Sequence, residues 1–248
     1  MAYIFNLSNY PLRSEARHAS EMVSEVLFGE SFDIVGQRAS WLKIKLNSDG
    51  YEGWIEHKAP FTDSGLDFDH IVMDHHGALS HSDEEIALPI GSRIGGSEKL
   101  KLHGKTFTVN ARVRKPDDGF TTEDLVGLAR SFLNSPYYWG GRTHAGIDCS
   151  GFVQVVFSVF GIALPRDAYQ QAENGHNITF TEASTGDLAF FANETGKITH
   201  VGIILENGRI IHASEKVRID RFDEQGIWRE DIKEYSHQLH SVKQLLNS

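Results

Sequence analysis

The chain is nearly devoid of cysteine, has no surplus of positive charge and contains no long apolar run, and each of these lacks closes off a class of protein. A single cysteine among 248 residues rules out an internal disulfide and a multi-thiolate zinc site, and it fits a reducing compartment. A formal charge of −10 would repel a nucleic-acid backbone or an anionic lipid surface, so neither is expected as a partner. The strongest apolar stretch, around Phe152 to Phe160, falls far short of the ~18–20 residues needed to cross a bilayer. The first residues carry neither a basic stretch nor an apolar core of a signal peptide. A cytoplasmic location is therefore expected, or an extracellular or periplasmic one if an export signal has been removed.

What is present describes an ordinary globular chain. Apolar residues make up 40% and charged residues 23%, which argues against disorder, and the length suits one catalytic domain with one or two small modules. From Tyr3 to about Pro60, short apolar stretches alternate with turn residues, as in Trp41-Leu-Lys-Ile-Lys-Leu and Asp49-Gly-Tyr-Glu-Gly-Trp-Ile. Closely spaced strands of this kind read as a small β-barrel. Residues 61–115 repeat the pattern around Leu88–Ile94 and Lys105–Val113 and are read as a second, diverged barrel.

Residues 116–248 read as an α+β domain, helices first and strands afterwards. Thr121 precedes Glu123 and Asp124 as a hydroxyl cap, and Leu125, Val126, Leu128, Ala129, Phe132 and Leu133 follow at helical spacing. Phe152, Val153, Val156, Phe157 and Phe160 form a second helical stripe that stops at Gly161. Strands are expected at Asp187–Phe191, from His200 to Leu205, and at Arg209–Ala213.

Cys149 falls where glycines and turn residues give way to the second helical stripe. Unpaired N–H groups and the positive end of a helix dipole favour thiolate over thiol there, so the single cysteine reads as a nucleophile. A nucleophilic thiol needs a base and the base an orienter, and His200 and His212 stand on successive strands. Whether they share a face depends on the turn at Glu206-Asn207-Gly208. A two-residue Asn-Gly loop puts His212 opposite Ile203, on the wrong face. A three-residue loop with Gly208 left-handed pairs Leu205 with Arg209 and Gly202 with His212, and this register is predicted. Asp148 would oppose thiolate formation if it faced the sulfur, so it is expected to point elsewhere, capping the helix or meeting substrate.

Leu27-Phe-Gly-Glu30, Trp41 and Gly50-Tyr-Glu-Gly-Trp-Ile55 resemble bacterial SH3 domains. The set Tyr137-Tyr-Trp-Gly-Gly, Asp148-Cys149-Ser150-Gly151-Phe152, Leu164-Pro-Arg166-Asp167, Gly186-Asp-Leu, His200-Val-Gly-Ile and Ile211-His212-Ala resembles the NlpC/p60 cysteine peptidases. That resemblance implies a papain-like catalytic domain and cleavage of peptidoglycan stem peptides between γ-D-Glu and a diamino acid, L-Lys or meso-diaminopimelate. Cys149 would attack, His200 would act as base and His212 would orient it, with Tyr137, Trp139, Asp148 and Ser150 in the oxyanion and cleft region. SH3 modules ahead of the peptidase further resemble dipeptidyl-peptidase VI-like members, which recycle murein peptides and require a free N-terminal L-Ala. Their amine-binding acids and Tyr match Glu21, Tyr51 and Asp167 best, with Arg166 alongside, although Glu15, Glu25 and Glu30 compete with Glu21.

No cofactor is implied. Asp74, His75, His76, His81 and Asp83 bring metal-binding residue types together, but adjacent histidines in a polar loop are read as solvent-exposed and no metal is expected. Two other functions stay open at this point: an inactive wall-binding protein, and an amidase or acyltransferase on the same scaffold. A monomer is compatible with the sequence, which does not decide the oligomeric state.

Overall fold

The computed structural model describes residues 3–63 and 68–246. It divides into two compact units: residues 1–118 with 139–144 and 158–163, and residues 119–138 with 145–157 and 164–248. No helix among the described residues is long and apolar enough to cross a membrane.

In the first unit, alternation of side chains builds a seven-stranded antiparallel sheet. Its order is Met22–Leu27, Asn9–Arg13, Glu52–Glu56, Trp41–Leu46, Ser31–Arg38, Tyr3–Phe5 and Phe61–Asp63. Leu42, Ile44 and Leu46 point inward at every second position of one strand and meet Phe5, Leu12, Val26, Phe32 and Ile55. Pairing of Phe61–Asp63 with Tyr3–Phe5 carries the first sheet past the boundary expected at residue 60. The following segment folds as a four-stranded sheet, Glu84–Leu88, Gly77–His81, Lys105–Asn110 and Lys99–Leu102, beside a three-stranded one, Arg93–Ile94, His70–Val72 and Val113–Arg114. Phe28 leaves the first sheet to sit in the core of this second assembly with Val72, Leu79, Leu100 and Phe107.

Residues 139–144 belong to the first unit, held by charge. The Arg142 guanidinium donates to both Glu30 carboxylate oxygens, at 2.8 and 2.9 Å, and to the Glu25 carbonyl at 2.8 Å. Its backbone N–H donates to the Glu25 carboxylate at 2.7 Å. Arg142 and Glu30 are both buried.

In the second unit, helix α1 spans Thr122–Ser131 and starts with a capping box between Thr121 and Asp124. Helix α2 spans Cys149–Val159. It is buried on nearly all sides, which explains why its apolar pattern is broader than the stripe of a surface helix. Phe132 and Phe152 meet edge to face with ring centroids 5.7 Å apart. The short α3 spans Ala168–Gln171.

The sheet of this unit runs His176–Ile178, Glu234–Gln244, Leu188–Ala192, Ile198–Leu205, Arg209–Ser214, Lys216–Asp223 and Gly226–Arg229. The last of these pairs back with Glu234–Gln244, so six strands close into a small barrel. Ala189, Phe191, Ile204, Ile210, Phe222, Ile227 and Val242 form one core cluster.

Removing one partner of a buried ion pair leaves the other charge uncompensated. Glu30→Ala is therefore expected to cost about 3–5 kcal/mol of stability, read as a lower urea midpoint with an unchanged slope.

Candidate active site

The thiol is placed by the start of α2. Asp148 caps the helix: its carboxylate accepts the Gly151 N–H at 2.7 Å and its carbonyl accepts the Phe152 N–H at 2.9 Å. Arg166 grips the same carboxylate with two hydrogen bonds, at 2.9 and 2.5 Å, and donates to Ser150 Oγ at 2.9 Å. The negative charge beside the nucleophile is thus tied back into the protein, as the sequence demanded. Gln171 reinforces the corner by donating to the carbonyls of Ser150 and Pro165.

The base comes from the hairpin. Gly202 pairs with His212 and Leu205 with Arg209, the register predicted from a three-residue turn, with Asn207 and Gly208 at φ 59° and 62°. His200 stands third in its strand, which begins at Ile198. Gly202 makes room for the second imidazole, because a Cβ there would lie 2.9 Å from the His212 Cβ.

His200 Nε2 lies 2.8 Å from His212 Nδ1, and His212 Nε2 lies 3.0 Å from an Asp220 carboxylate oxygen. A carboxylate only accepts, so His212 carries its proton on Nε2 and offers a lone pair at Nδ1. That lone pair accepts the Nε2–H of His200, which leaves the lone pair of a neutral His200 on Nδ1. Asp220, through two rings, decides which nitrogen is basic. Arg218 donates to the other Asp220 oxygen at 2.9 Å. Cys149 Sγ lies 4.0 Å from the carbonyl of Thr199, the residue before His200.

Burial dominates the electrostatics. It pushes the Cys149 thiol up to about 12, aided by the Asp148 charge and opposed by the N–H groups of Val201 and Ser150 and by Arg166. The thiolate expected from the helix terminus is therefore not favoured in the ligand-free site, because desolvation outweighs the dipole. Burial also holds His200 well below the usual histidine range, with His237 and His212 adding to the effect. His212 is lowered by burial in spite of Asp220. Burial would raise Asp220, but hydrogen bonds from His212 and Arg218 outweigh it and keep the carboxyl below its usual range. Cys149 and His200 are thus each held neutral by burial.

Tyr137 is half-buried, and burial with the Cys149 and Asp148 charges holds its phenol protonated well above the usual range. With Thr199, His200, Ala213, Ser214, Glu215 and His237 it lines a cleft of about 270 Å³.

Arg166 is 2% exposed with its guanidinium on Asp148 and Ser150, so it holds the helix cap. Asp148 and Ser150 are buried in the same cluster, next to Cys149 in the chain. Asp167 is half-buried at the start of α3. In the first unit, the Trp139 indole donates to Glu21 at 2.6 Å, and Tyr51 packs against the barrel core.

His76 is exposed and His75 half-buried, and their rings meet His144 at 5.5 and 5.1 Å. Asp74 pairs with Arg112, and His81 with the Thr106 carbonyl. Among the described residues no three His, Cys, Asp or Glu side chains are arranged to hold a metal ion.

Asp220 and His237 were missed. Only Glu215 separates the pair Ser214 and Lys216, so counting back puts Arg218 opposite His212 and Asp220 opposite Ile210. Extending the hairpin register by one strand would have found Asp220. His237 reaches the site through a ladder with a register shift between Ile227 and Trp228, which counting does not foresee.

Residues 134–236 match the NlpC/P60 family, and residues 12–59 match the bacterial dipeptidyl-peptidase Sh3 domain. The γ-D-glutamyl-L-lysine dipeptidyl-peptidase of Bacillus subtilis (strain 168) is 31% identical over 211 residues, which cover 77% of this chain and 71% of that relative. The chain belongs to the NlpC/P60 family. A second relative of the same name, from Bacillus cereus (strain ATCC 10987 / NRS 248), is 25% identical over 81% of this chain and 70% of its own length. The crystal structure of an NlpC/P60 family protein from Bacillus cereus ATCC 10987 superposes with a TM-score of 0.84 at 20% identity, covering 98% of this chain and 99% of that one. NlpC/P60 proteins are cysteine peptidases of the cell wall. This member accordingly combines an SH3-like, β-rich N-terminal region with a mixed α/β catalytic domain.

Asp220→Asn would let an amide donate to His212 as well as accept, so the tautomer chain loses its fixed end. A fall in kcat of about 10²–10⁴-fold is expected, with an unchanged circular dichroism spectrum. His200, His212 and His237 all have lowered native values, so the native state binds fewer protons than the unfolded chain. Their stabilisation is present above the unfolded histidine pKa of about 6.5 and is lost as pH falls through the lower native values. Tm should drop on acidification through this window, and a flat Tm would contradict the neutral assignment.

Proposed function

We propose that the protein hydrolyses the bond between γ-D-Glu and the following L-diamino acid of peptidoglycan stem peptides, releasing L-Ala-γ-D-Glu from substrates with a free N-terminal L-Ala. The observation that carries this reading is the hydrogen-bonded run Asp220, His212, His200 in a chain that also holds a single cysteine at a helix start. The names of the two Bacillus relatives support the substrate class.

In this mechanism Cys149 Sγ attacks the γ-carbonyl carbon as its proton passes to Nδ1 of His200. Two neutral groups become a charged pair only as the C–S bond forms, so the burial that raises the thiol is offset by the developing oxyanion and imidazolium. The Cys149 backbone N–H and the protonated Tyr137 hydroxyl donate to the oxyanion. The imidazolium then returns its proton to the leaving amine, the C–N bond breaks and a thioester remains. Water, deprotonated by His200, cleaves the thioester to free the dipeptide and the thiol.

Asp167 is proposed to bind the substrate ammonium, since a desolvated cation needs opposing charge. The strands from His70 to Arg114 are proposed as a second SH3-like domain.

The test is mass spectrometry of products from L-Ala-γ-D-Glu-L-Lys, its meso-diaminopimelate counterpart and their N-acetylated forms. The wild type should release L-Ala-γ-D-Glu from the free peptides and not from the acetylated ones, and Cys149→Ala should release none while keeping its Tm. Equal cleavage of acetylated peptides would remove the amine requirement, and no cleavage of any of them would overturn the substrate.

A further inference from the structure

His237 comes from the strand Glu234–Gln244 and lies flat against His200, with ring centroids 4.0 Å apart and planes 24° from parallel. Phe191, on a neighbouring strand, meets both rings, at 5.7 Å from His200 and 5.9 Å from His237. With the Nε2 bond to His212, these contacts fix the plane of the His200 ring as well as its direction. His200 and His237 line the same cleft.

The stack is sensitive to charge. Two neutral imidazoles attract through their faces, and a cationic ring is stabilised over a neutral one, whereas two cations repel. His200 becomes a cation each time it takes a proton, so the stack helps only while His237 stays neutral. The charged or titratable groups around His237 are His200, His212, Asp220 and Arg229 from the adjoining strands. On its own strand the Ser236 hydroxyl meets its Nδ1 at 2.8 Å. Burial, with His212 and Arg229 adding to it, lowers His237 to about 4 in spite of Asp220, so it is uncharged near neutral pH.

We propose that His237 is a positioning residue for the base: its stacked ring clamps the plane in which His200 takes the thiol proton. This rests on the proposed peptidase mechanism for the direction of proton transfer. It can nevertheless be tested without a peptide.

Because Cys149 is the chain's one cysteine, alkylation by iodoacetamide, followed by intact mass against pH, reports on the thiol and imidazole pair. The wild type, His237→Ala and His237→Phe would be compared, with Tm measured for each. H237A loses the stacked face and should alkylate more slowly at pH 7, by up to about 10²-fold, the scale of a base misplaced by about 1 Å. H237F keeps an aromatic face and should lose less. Its acid limb should move to higher pH by about half a unit or more, because no second positive charge opposes protonation of His200.

Wild-type rates and limbs in both variants would overturn the inference, and so would a lowered Tm with unmoved limbs, the mark of a merely structural ring. If the profiles shift as expected but no γ-glutamyl peptide is cleaved, the substrate reading fails and this inference stands. Cleavage by the wild type with unmoved alkylation profiles would sink this inference alone.

Discussion

The second unit is organised around a carboxylate that must not act on its neighbour. Asp148 precedes the thiol in the chain, and left free it would hold the sulfur protonated by repulsion alone. Arg166 reduces that difficulty, although the Asp148 charge still adds to the rise of the thiol. It is almost wholly buried and spans Asp148 and Ser150, so a charge that would oppose the chemistry becomes the cap of the helix bearing the nucleophile. A buried guanidinium without partners would cost several kcal/mol, and the fold therefore requires the loop carrying Arg166 to close on the start of α2. Nucleophile, cap and loop are one arrangement.

The imidazoles impose a second kind of order, one of direction. A carboxylate at one end can only accept, and each ring passes on the consequence, so two neutral histidines acquire defined tautomers without carrying charge. Strand register delivers this. Gly202 clears the space that His212 fills, and the one-residue turn at Glu215 brings Asp220 back to the same face. Arg218 steadies the far end. Burial keeps every member neutral except the terminal acid, whose charge is compensated by hydrogen bonds.

Much of this was legible in the sequence because it depends on local rules. The cap at Thr121, the two longer helices and the hairpin register follow from hydroxyl placement, apolar spacing and turn length, and residues near in sequence settle them. The role of Arg166 was not legible, because a sequence shows that an arginine is near and not which way it turns. The charge state of Cys149 was misjudged for a related reason: the helix terminus is visible in the sequence, but the desolvation that overrides it is known only once the strands have folded over the thiol. Asp220 lay one counting step beyond the hairpin. His237 depends on an irregular ladder closing a barrel, where no periodicity leads.

Closure of that barrel bears on what can be recognised. Each of its six strands is hydrogen-bonded on both sides, so the wall carrying His200 and His212 offers no row of vacant amides and carbonyls to an arriving chain. An extended peptide cannot be read here by joining the sheet as one more strand. Recognition must pass through side chains and loop backbone at the mouth, which tolerate a ligand whose main chain lacks the even spacing of α-linked L-residues. A D-configured, side-chain-linked peptide loses nothing at such a wall, whereas the regular backbones of folded neighbours find nothing to pair with.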